Sequence, residues 1–259
     1  MSSAQDFIAD IARSVAFLSR LPVPSRFFEG HDGSVARACR AFPVAGALIA
    51  LPSALILLAM ADKLPLVAAL LAIGLSAALC GALHEDGFAD SVDGLGGGRD
   101  KDHALTIMKD SRTGAYGVIA LILSFGLRTF ALASLATLIS AHAAAAAFIA
   151  AATVGRALMI WHWSKLPPAR QNGTAVAAGQ PQESAVTFAI ISAIGLMFVL
   201  LWPQIRLGPL LFAFFASLVA VLAFTRFVRR KIGGHSGDTI GGSEQLVEIT
   251  FLVALAALA

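Results

Sequence analysis

Four carboxylates and a histidine punctuate one short segment, His84-Glu85-Asp86-Gly87-Phe88-Ala89-Asp90-Ser91-Val92-Asp93-Gly94. Asp86, Asp90 and Asp93 are spaced i, i+4 and i+7, which on a helix lines one face. Like charges so placed repel one another, and the cost rises near a membrane. A divalent cation relieves it. Oxygen-only ligands suit Mg²⁺ rather than zinc, and Mg²⁺ binds through a few carboxylates plus waters and substrate phosphates. The alternative is a solvated acidic face, against which Phe88, Ala89 and Val92 argue. Asp86, Asp90 and Asp93 are therefore the expected metal ligands. His84 reads either as a general base or as an ordinary interfacial histidine.

Other polar segments carry complementary equipment. Gly94-Leu95-Gly96-Gly97-Gly98 is a glycine run that lets backbone N–H groups approach an anion, with Gly96 and Gly97 as the expected substrate contacts. It is no Walker loop, because no Gly-Lys-Ser/Thr follows. In Met108-Lys109-Asp110-Ser111-Arg112-Thr113-Gly114, Lys109 and Arg112 are positioned to share a phosphate with the Ser111 and Thr113 hydroxyls. Simple anchoring at a membrane surface explains the charges but not Asp110 between them. A last polar stretch, 233–245, sets five glycines around Asp238. That composition predicts a close-approach loop in which Asp238 and Thr239 meet the substrate. Glu244 and Glu248 follow at i, i+4, and Glu248 reads as a charge near a helix start. Carboxylates for Mg²⁺, bases for phosphate and glycines for close contact are the tools of phosphoryl transfer, where catalysis is mostly positioning and charge neutralisation.

These segments must be positioned by something, and the rest of the chain says what. Of 259 residues, 58% are hydrophobic and only 14% charged; soluble domains carry about 25% charged residues. Mean hydropathy is +0.79. Six apolar stretches approach the length of a membrane span: 43–61, 64–83, 115–139, 142–163, 185–202 and 208–228. A seventh, 246–259, is short. The expected fold is an all-α polytopic membrane protein of about seven transmembrane helices, forming a single domain over 1–259. Residues 5–21 place Phe7, Ile8, Ile11, Val15 and Leu18 at helical spacing, which predicts an interfacial helix. Charged residues interrupt that segment, so it does not read as a cleavable signal. Cys39 and Cys80 read as packing residues rather than a disulfide.

Basic residues gather before the first span, in 84–114, after the fourth span and after the sixth. With seven spans these clusters share a side, and the positive-inside rule makes that side cytoplasmic. The formal net charge of +3 is thus a loop bias, not a nucleic-acid footprint. Arg156 lies near enough to a span end to snorkel. Arg128 lies deeper, where an unpaired cation is costly, and so is expected to face the interior and to pair either with the acidic segment dipping into the bundle or with the substrate's phosphates.

The pattern as a whole resembles the cobalamin synthase family, adenosylcobinamide-GDP ribazoletransferase. The resemblance rests on Phe17-Leu18-Ser19-Arg20-Leu21-Pro22-Val23-Pro24, on His84 to Gly94, on Ile107-Met108-Lys109-Asp110-Ser111-Arg112-Thr113-Gly114 and on Gly237-Asp238-Thr239-Ile240-Gly241, in that order. It covers essentially the whole chain. Local departures are slight, with Gly242 where alanine is common and Tyr116 where phenylalanine is common. The resemblance implies a Mg²⁺-dependent enzyme of the bacterial inner membrane. It would join adenosylcobinamide phosphate, taken from its GDP conjugate, to α-ribazole or α-ribazole 5′-phosphate with release of GMP, late in cobalamin biosynthesis. The catalytic residues are then His84, Asp86, Asp90, Lys109 and Arg112. A homo-oligomer is compatible with this reading, and no nucleic acid is expected.

Rival readings are weaker. A CDP-alcohol phosphotransferase needs Asp-Gly-x-x-Ala-Arg, whereas here Asp86-Gly87-Phe88 runs into Ala89-Asp90 with no arginine in that place. Membrane prenyltransferases of the aspartate-rich type usually show two acidic motifs. A secondary transporter would place its charges at the midplane on repeated, broken helices, and no internal repeat is visible.

Overall fold

The protein, seen in a computed structural model, is described over residues 3–30, 34–171 and 174–258. Twelve helices follow in order: α1 (Ser3–Leu18), α2 (Val35–Ala38), α3 (Phe42–Met60), α4 (Pro65–Cys80), α5 (Leu83–Gly97), α6 (Lys101–Ile107), α7 (Ala115–Leu138), α8 (Ala141–Lys165), α9 (Thr174–Ala177), α10 (Glu183–Leu201), α11 (Leu207–Ile232) and α12 (Gly237–Leu258). Among the described residues there is no strand, only an isolated bridge between Pro168 and His235. Backbone polar groups cannot be left open in hydrocarbon, so helices are the expected answer to this composition.

Six helices are long and apolar enough to cross a membrane, and the α4–α5 pair makes a seventh if counted as one. The chain is an all-α polytopic membrane protein, as its apolar pattern predicts. Two boundaries differ. The second stretch, 64–83, ends early at Cys80, and the chain then turns by 91° into α5. Gly81 (φ 62°) and Ala82 (φ 56°) both adopt the left-handed conformation at this corner. The final stretch is not short: α12 runs 22 residues, because 237–245, predicted to be a loop, is helical. Ala259 lies outside the described residues. The glycines that argue against a helix there are tolerated because α12 lies tightly on α5. A Cβ at Gly242 would meet Ser91 Oγ at 3.0 Å. Small residues at such crossings let helix backbones approach.

α8 is the centre of the bundle. Every residue from Ala143 to Ile160 is buried. Its alanine-rich sequence, which would leave an outer helix poorly anchored in lipid, lets α3, α7, α10, α11 and α12 all pack against it. One cluster of buried apolar side chains joins Ala50 of α3 to Leu255 of α12. The outer helices turn large apolar groups outward, among them Leu55, Ile122, Phe130, Ile191 and Val219. α1 packs on α3, burying Asp10 and Leu18, with Asp10 held by Arg13 and Arg40. Its Ile8 and Phe17 stay exposed. Cys39 and Cys80 are buried and unpaired.

Three tight connections lie between the ends of α3 and α4, α7 and α8, and α10 and α11. The long polar segments lie together at the opposite end. Arg20 N–H donates to Leu79 O at 2.7 Å, Ala169 N–H to His235 O at 2.8 Å and Arg229 to Lys165 O at 2.8 Å. Arg170 donates to Leu105 O.

Candidate active site

α5 is the element that the site is built around. Its helical periodicity gives it three differently employed faces. His84, Gly87 and Ser91 face α12, where Gly87 lies so close that a Cβ would meet Asp238 O at 2.9 Å. Glu85 and Asp93 face α7. Asp86 is exposed and Asp90 half-buried, on the side left open.

Asp93 leaves the predicted metal trio for a structural task. Its two oxygens accept the N–H groups of Gly114 and Gly117 at 2.7 and 2.8 Å. It thereby caps α7, whose own N-cap, Gly114, has no side chain to do so. Among the described residues no three His, Cys, Asp or Glu side chains are grouped to hold a metal ion. Asp238 takes the third place near the acids instead. Asp86, Asp238 and Asp93 are the charges acting on Asp90. Arg170 is the basic charge that acts on Asp238. The residues fit a Mg²⁺ held by one or two carboxylates with water and substrate phosphates, the usual habit of that ion. They do not form a closed protein cage.

The basic segment is tethered beside these acids. Met108 packs against Gly94 and its sulfur accepts from Ser236 Oγ at 3.8 Å. Lys109, Ser111 and Arg112 are exposed on the loop between Met108 and the Gly114 contact to Asp93. Arg112 forms a bidentate pair with Asp110, 2.6 Å at its shortest. Those hydrogen bonds hold the Asp110 carboxyl down to about 2. Asp110 is thus the resident acceptor for a guanidinium otherwise open to solvent.

The glycine run is not a loop. Gly96 and Gly97 form the last turn of α5, against the Tyr116 ring and Ile107 respectively. Thr239 is also structural: it and Ser236 cap α12 reciprocally, Ser236 N–H to Thr239 Oγ1 at 2.9 Å and Thr239 N–H to Ser236 Oγ at 3.2 Å. His84 is buried rather than interfacial. Its Nδ1 lies 3.7 Å from Glu244 and its Nε2 has no partner.

Beneath the acids lies an ionic network. Arg128 is fully buried, 3.1 Å from Glu248 and 3.4 Å from Glu85. It faces the interior as predicted, and of the two expected partners it meets the acidic segment, through Glu85, with Glu248 of α12 as the second carboxylate. Arg156 does not snorkel; it meets Glu244 at 2.8 Å and Glu248 at 3.4 Å. Gln245 bridges Glu85, Glu244 and Ser124. Glu248 is therefore no helix-start charge, and the acid that pairs with Arg128 was inside the last apolar stretch.

Some functional positions escaped the sequence. Arg170, one of the basic residues after the fourth span, is the positive charge that acts on Asp238. A cavity of about 300 Å³ opens beside Asp86 and Asp238, walled by Phe17, Phe42, Met159 and Trp163. No spacing signal connects those four residues. A larger cleft of about 780 Å³ near Arg37, Arg40 and Gln182 contains none of the acids and lies outside this site.

Residues 10–256 match the family Cobalamin-5-phosphate synthase. The chain belongs to that family. A protein of Sinorhizobium medicae named adenosylcobinamide-GDP ribazoletransferase is 52% identical over 99% of both chains. Proteins with the same name from Rhizobium meliloti and Brucella anthropi are 49% and 41% identical, over 99% and 96% of both chains. No solved structure matches. Membership makes the chain a transferase of cobalamin biosynthesis, and sets aside the CDP-alcohol, prenyltransferase and transporter readings.

Proposed function

We propose that this chain transfers adenosylcobinamide phosphate from its GDP conjugate to a free ribose hydroxyl of α-ribazole or α-ribazole 5′-phosphate, releasing GMP. The observation that carries the reading is the meeting, at one end of the bundle, of Asp86 and Asp90 on α5, Asp238 on α12 and the tethered Lys109–Arg112 segment.

A free ribose hydroxyl of the acceptor attacks the phosphorus on the cobinamide side. The bond from that phosphorus to the bridging oxygen of GMP breaks. The hydroxyl proton passes to a carboxylate of the Asp86–Asp90 pair or to His84 Nε2, which has no other partner among the described residues. Lys109 and Arg112 bind the departing GMP phosphate, Arg112 exchanging Asp110 for it. Asp86 and Asp90 would hold Mg²⁺, which when bound supplies charge neutralisation at the pyrophosphate.

The positive-inside bias puts this end of the bundle at the cytoplasmic face of the bacterial inner membrane, and self-association is compatible with the large apolar outer surface. The deciding experiment is GMP release by purified protein supplied with adenosylcobinamide-GDP and α-ribazole, with and without Mg²⁺. Turnover in detergent, without a sealed bilayer, is expected. No GMP with both substrates and Mg²⁺ present would refute the reading.

A further inference from the structure

The cleft near Arg37, Arg40 and Gln182 plays no part in the reaction, yet it is firmly built. It measures about 780 Å³ and opens between residues 34–40, ahead of α3, and residues 179–185, at the start of α10. Both segments enter spans at the end that carries the site. Both are also held in place. Ala36 N–H donates to Ala178 O at 3.0 Å, and Gln180 Nε2 donates to Ser164 O at 3.1 Å. The Arg40 guanidinium lies 5.6 Å from the Phe7 ring centroid, and that ring meets Phe188 edge-on at 5.2 Å, tying α1 to α10. Walls already ordered lose little freedom when a ligand arrives. The charge is one-sided. Arg37 and Arg40 line the cleft, and no acidic side chain among the described residues does. Arg40 gives Nε and Nη2 to Asp10, each at 2.7 Å, and Arg13 shares that same carboxylate. The Arg37 side chain is 68% exposed, with Asp6 beside it at 3.9 Å. Three cations thus share two carboxylates.

We infer that this cleft binds the headgroup of an anionic phospholipid from the surrounding bilayer, with Arg37 and Arg40 on the phosphodiester and the acyl chains lying along the outer face of α10. Depth supports it. From Gln182 to Phe188 the helix rises about 9 Å, slightly more than the roughly 5–8 Å of one headgroup layer. The rim at Gln182 and Ser184 is polar and exposed. Below it Phe188, 45% exposed, and Ile191, 65% exposed, present the apolar surface that hydrocarbon covers. Charge above and an apolar lip below suit an anionic amphiphile. A free phosphate has no use for the lip, and a zwitterionic headgroup brings a cation that the arginines repel. Basic pockets between spans on the cytoplasmic side are a recurrent seat for anionic headgroups. The seat also reaches the site. A lipid there bridges α2 to α10 and so steadies the adjoining α1, whose Phe17 and Leu18 wall the cavity beside Asp86. The inference requires only that the bundle lies in a bilayer and stands apart from the choice of substrates.

The test titrates purified full-length protein, in an uncharged detergent, with dioleoylphosphatidylglycerol, dioleoylphosphatidylcholine or inorganic phosphate, and follows the melting temperature. Three variants accompany it. Arg37→Gln removes the exposed cation. Ser184→Glu places an acid on the rim, in the first turn of α10, where the helix dipole favours it and folding is not threatened. Arg230→Gln removes an exposed charge of α11 at the same end of the bundle but outside the cleft. Phosphatidylglycerol should raise the melting temperature of the unaltered protein saturably. Phosphatidylcholine should need at least about ten-fold more, and inorganic phosphate should do nothing at the same concentrations. Half-saturation by phosphatidylglycerol should weaken about ten-fold in Arg37→Gln and in Ser184→Glu, the lower end for a charge-assisted hydrogen bond because Arg37 stays partly solvated. Arg230→Gln should shift it less than about two-fold. Equal protection by phosphatidylcholine would leave only an apolar lipid contact and overturn the proposal. Equal protection by inorganic phosphate would give the cleft to a soluble anion and overturn it too. So would Arg37→Gln and Ser184→Glu that respond to phosphatidylglycerol as Arg230→Gln does.

Discussion

Arg128 of α7 and Glu248 of α12 lie 3.1 Å apart, both buried, deep in the bundle. Each needs the other, because neither charge has water. With Arg156, Glu85 and Glu244 they form a network of two cations and three carboxylates that ties α5, α7, α8 and α12 together directly under the acids of the site. Arg128→Leu leaves two of those carboxylates short of a partner, and breaking one member of a buried pair costs about 3–5 kcal/mol. We expect Arg128→Leu to lower thermal stability in detergent by that order and to abolish GMP release. Arg229→Leu, which loses only an exposed bond to Lys165 O, should do neither. The Arg128→Leu/Glu248→Leu double variant should be more stable than the sum of its single losses predicts. Simple additivity would mean that the pair is not coupled.

The corner between α4 and α5 decides where the acids point. Gly81 and Ala82 are both left-handed there, and a side chain at Gly81 would run into the Arg20 guanidinium. Alanine pays about 1–2 kcal/mol in that conformation, and glycine does not. Ala82→Gly should therefore keep full activity with unchanged or slightly raised thermal stability. Gly81→Val should lose most activity, because either the corner or Arg20 must give. The melting temperature and the GMP-release rate of the two variants, measured side by side, check this. Comparable behaviour of the two would show that the corner does not set α5.

Sidedness can be read with thiol reagents, since both native cysteines are buried. Asp100 and Arg230 are exposed at the end carrying the site, and Lys63 and Arg206 at the other. Cysteines at 100 and 230 should label only with reagent that reaches the cytoplasm. Those at 63 and 206 should label from the periplasm. The opposite result would invert the bundle.

Much of this architecture was legible because it depends on composition and local period. Spans announce themselves by apolar length, and α3, α7, α8, α10 and α11 fall close to where the apolar stretches place them. Asp86 and Asp90 could be singled out because repulsion between near neighbours is a local property. What could not be read is which partner each polar group chooses. Asp93 sits in register with the other two acids, yet Gly114 and Gly117 claim it, a choice fixed by how α7 meets α5. Gly241 and Gly242 look like a loop until α5 is set against them; then they are the contact surface of a helix. Glu244 and Glu248 look like surface charges until Arg156 and Arg128 arrive from other helices. Each miss concerns contacts between residues far apart in sequence.

The three aspartates of α5 should separate by kind of failure. Asp93 holds two backbone N–H groups of α7; an asparagine there can satisfy only one of them with its single carbonyl oxygen. Loss of a cap typically costs about 0.5–2 kcal/mol. Asp93→Asn should therefore lower thermal stability by about that much, while residual turnover keeps its wild-type dependence on Mg²⁺ concentration. Asp86 and Asp90 make no ion pair among the described residues, and removing their charge relieves repulsion with Asp238. Asp86→Asn and Asp90→Asn should leave stability unchanged or raise it, yet cut GMP release by at least about 100-fold, the scale of losing a metal ligand's shell. The Mg²⁺ concentration for half-maximal rate should climb in whatever activity remains. Melting curves and Mg²⁺ titrations of the three variants supply the test. If Asp93→Asn shifts the Mg²⁺ dependence as strongly as the other two and melts normally, the three acids act as one metal site and the cap is incidental.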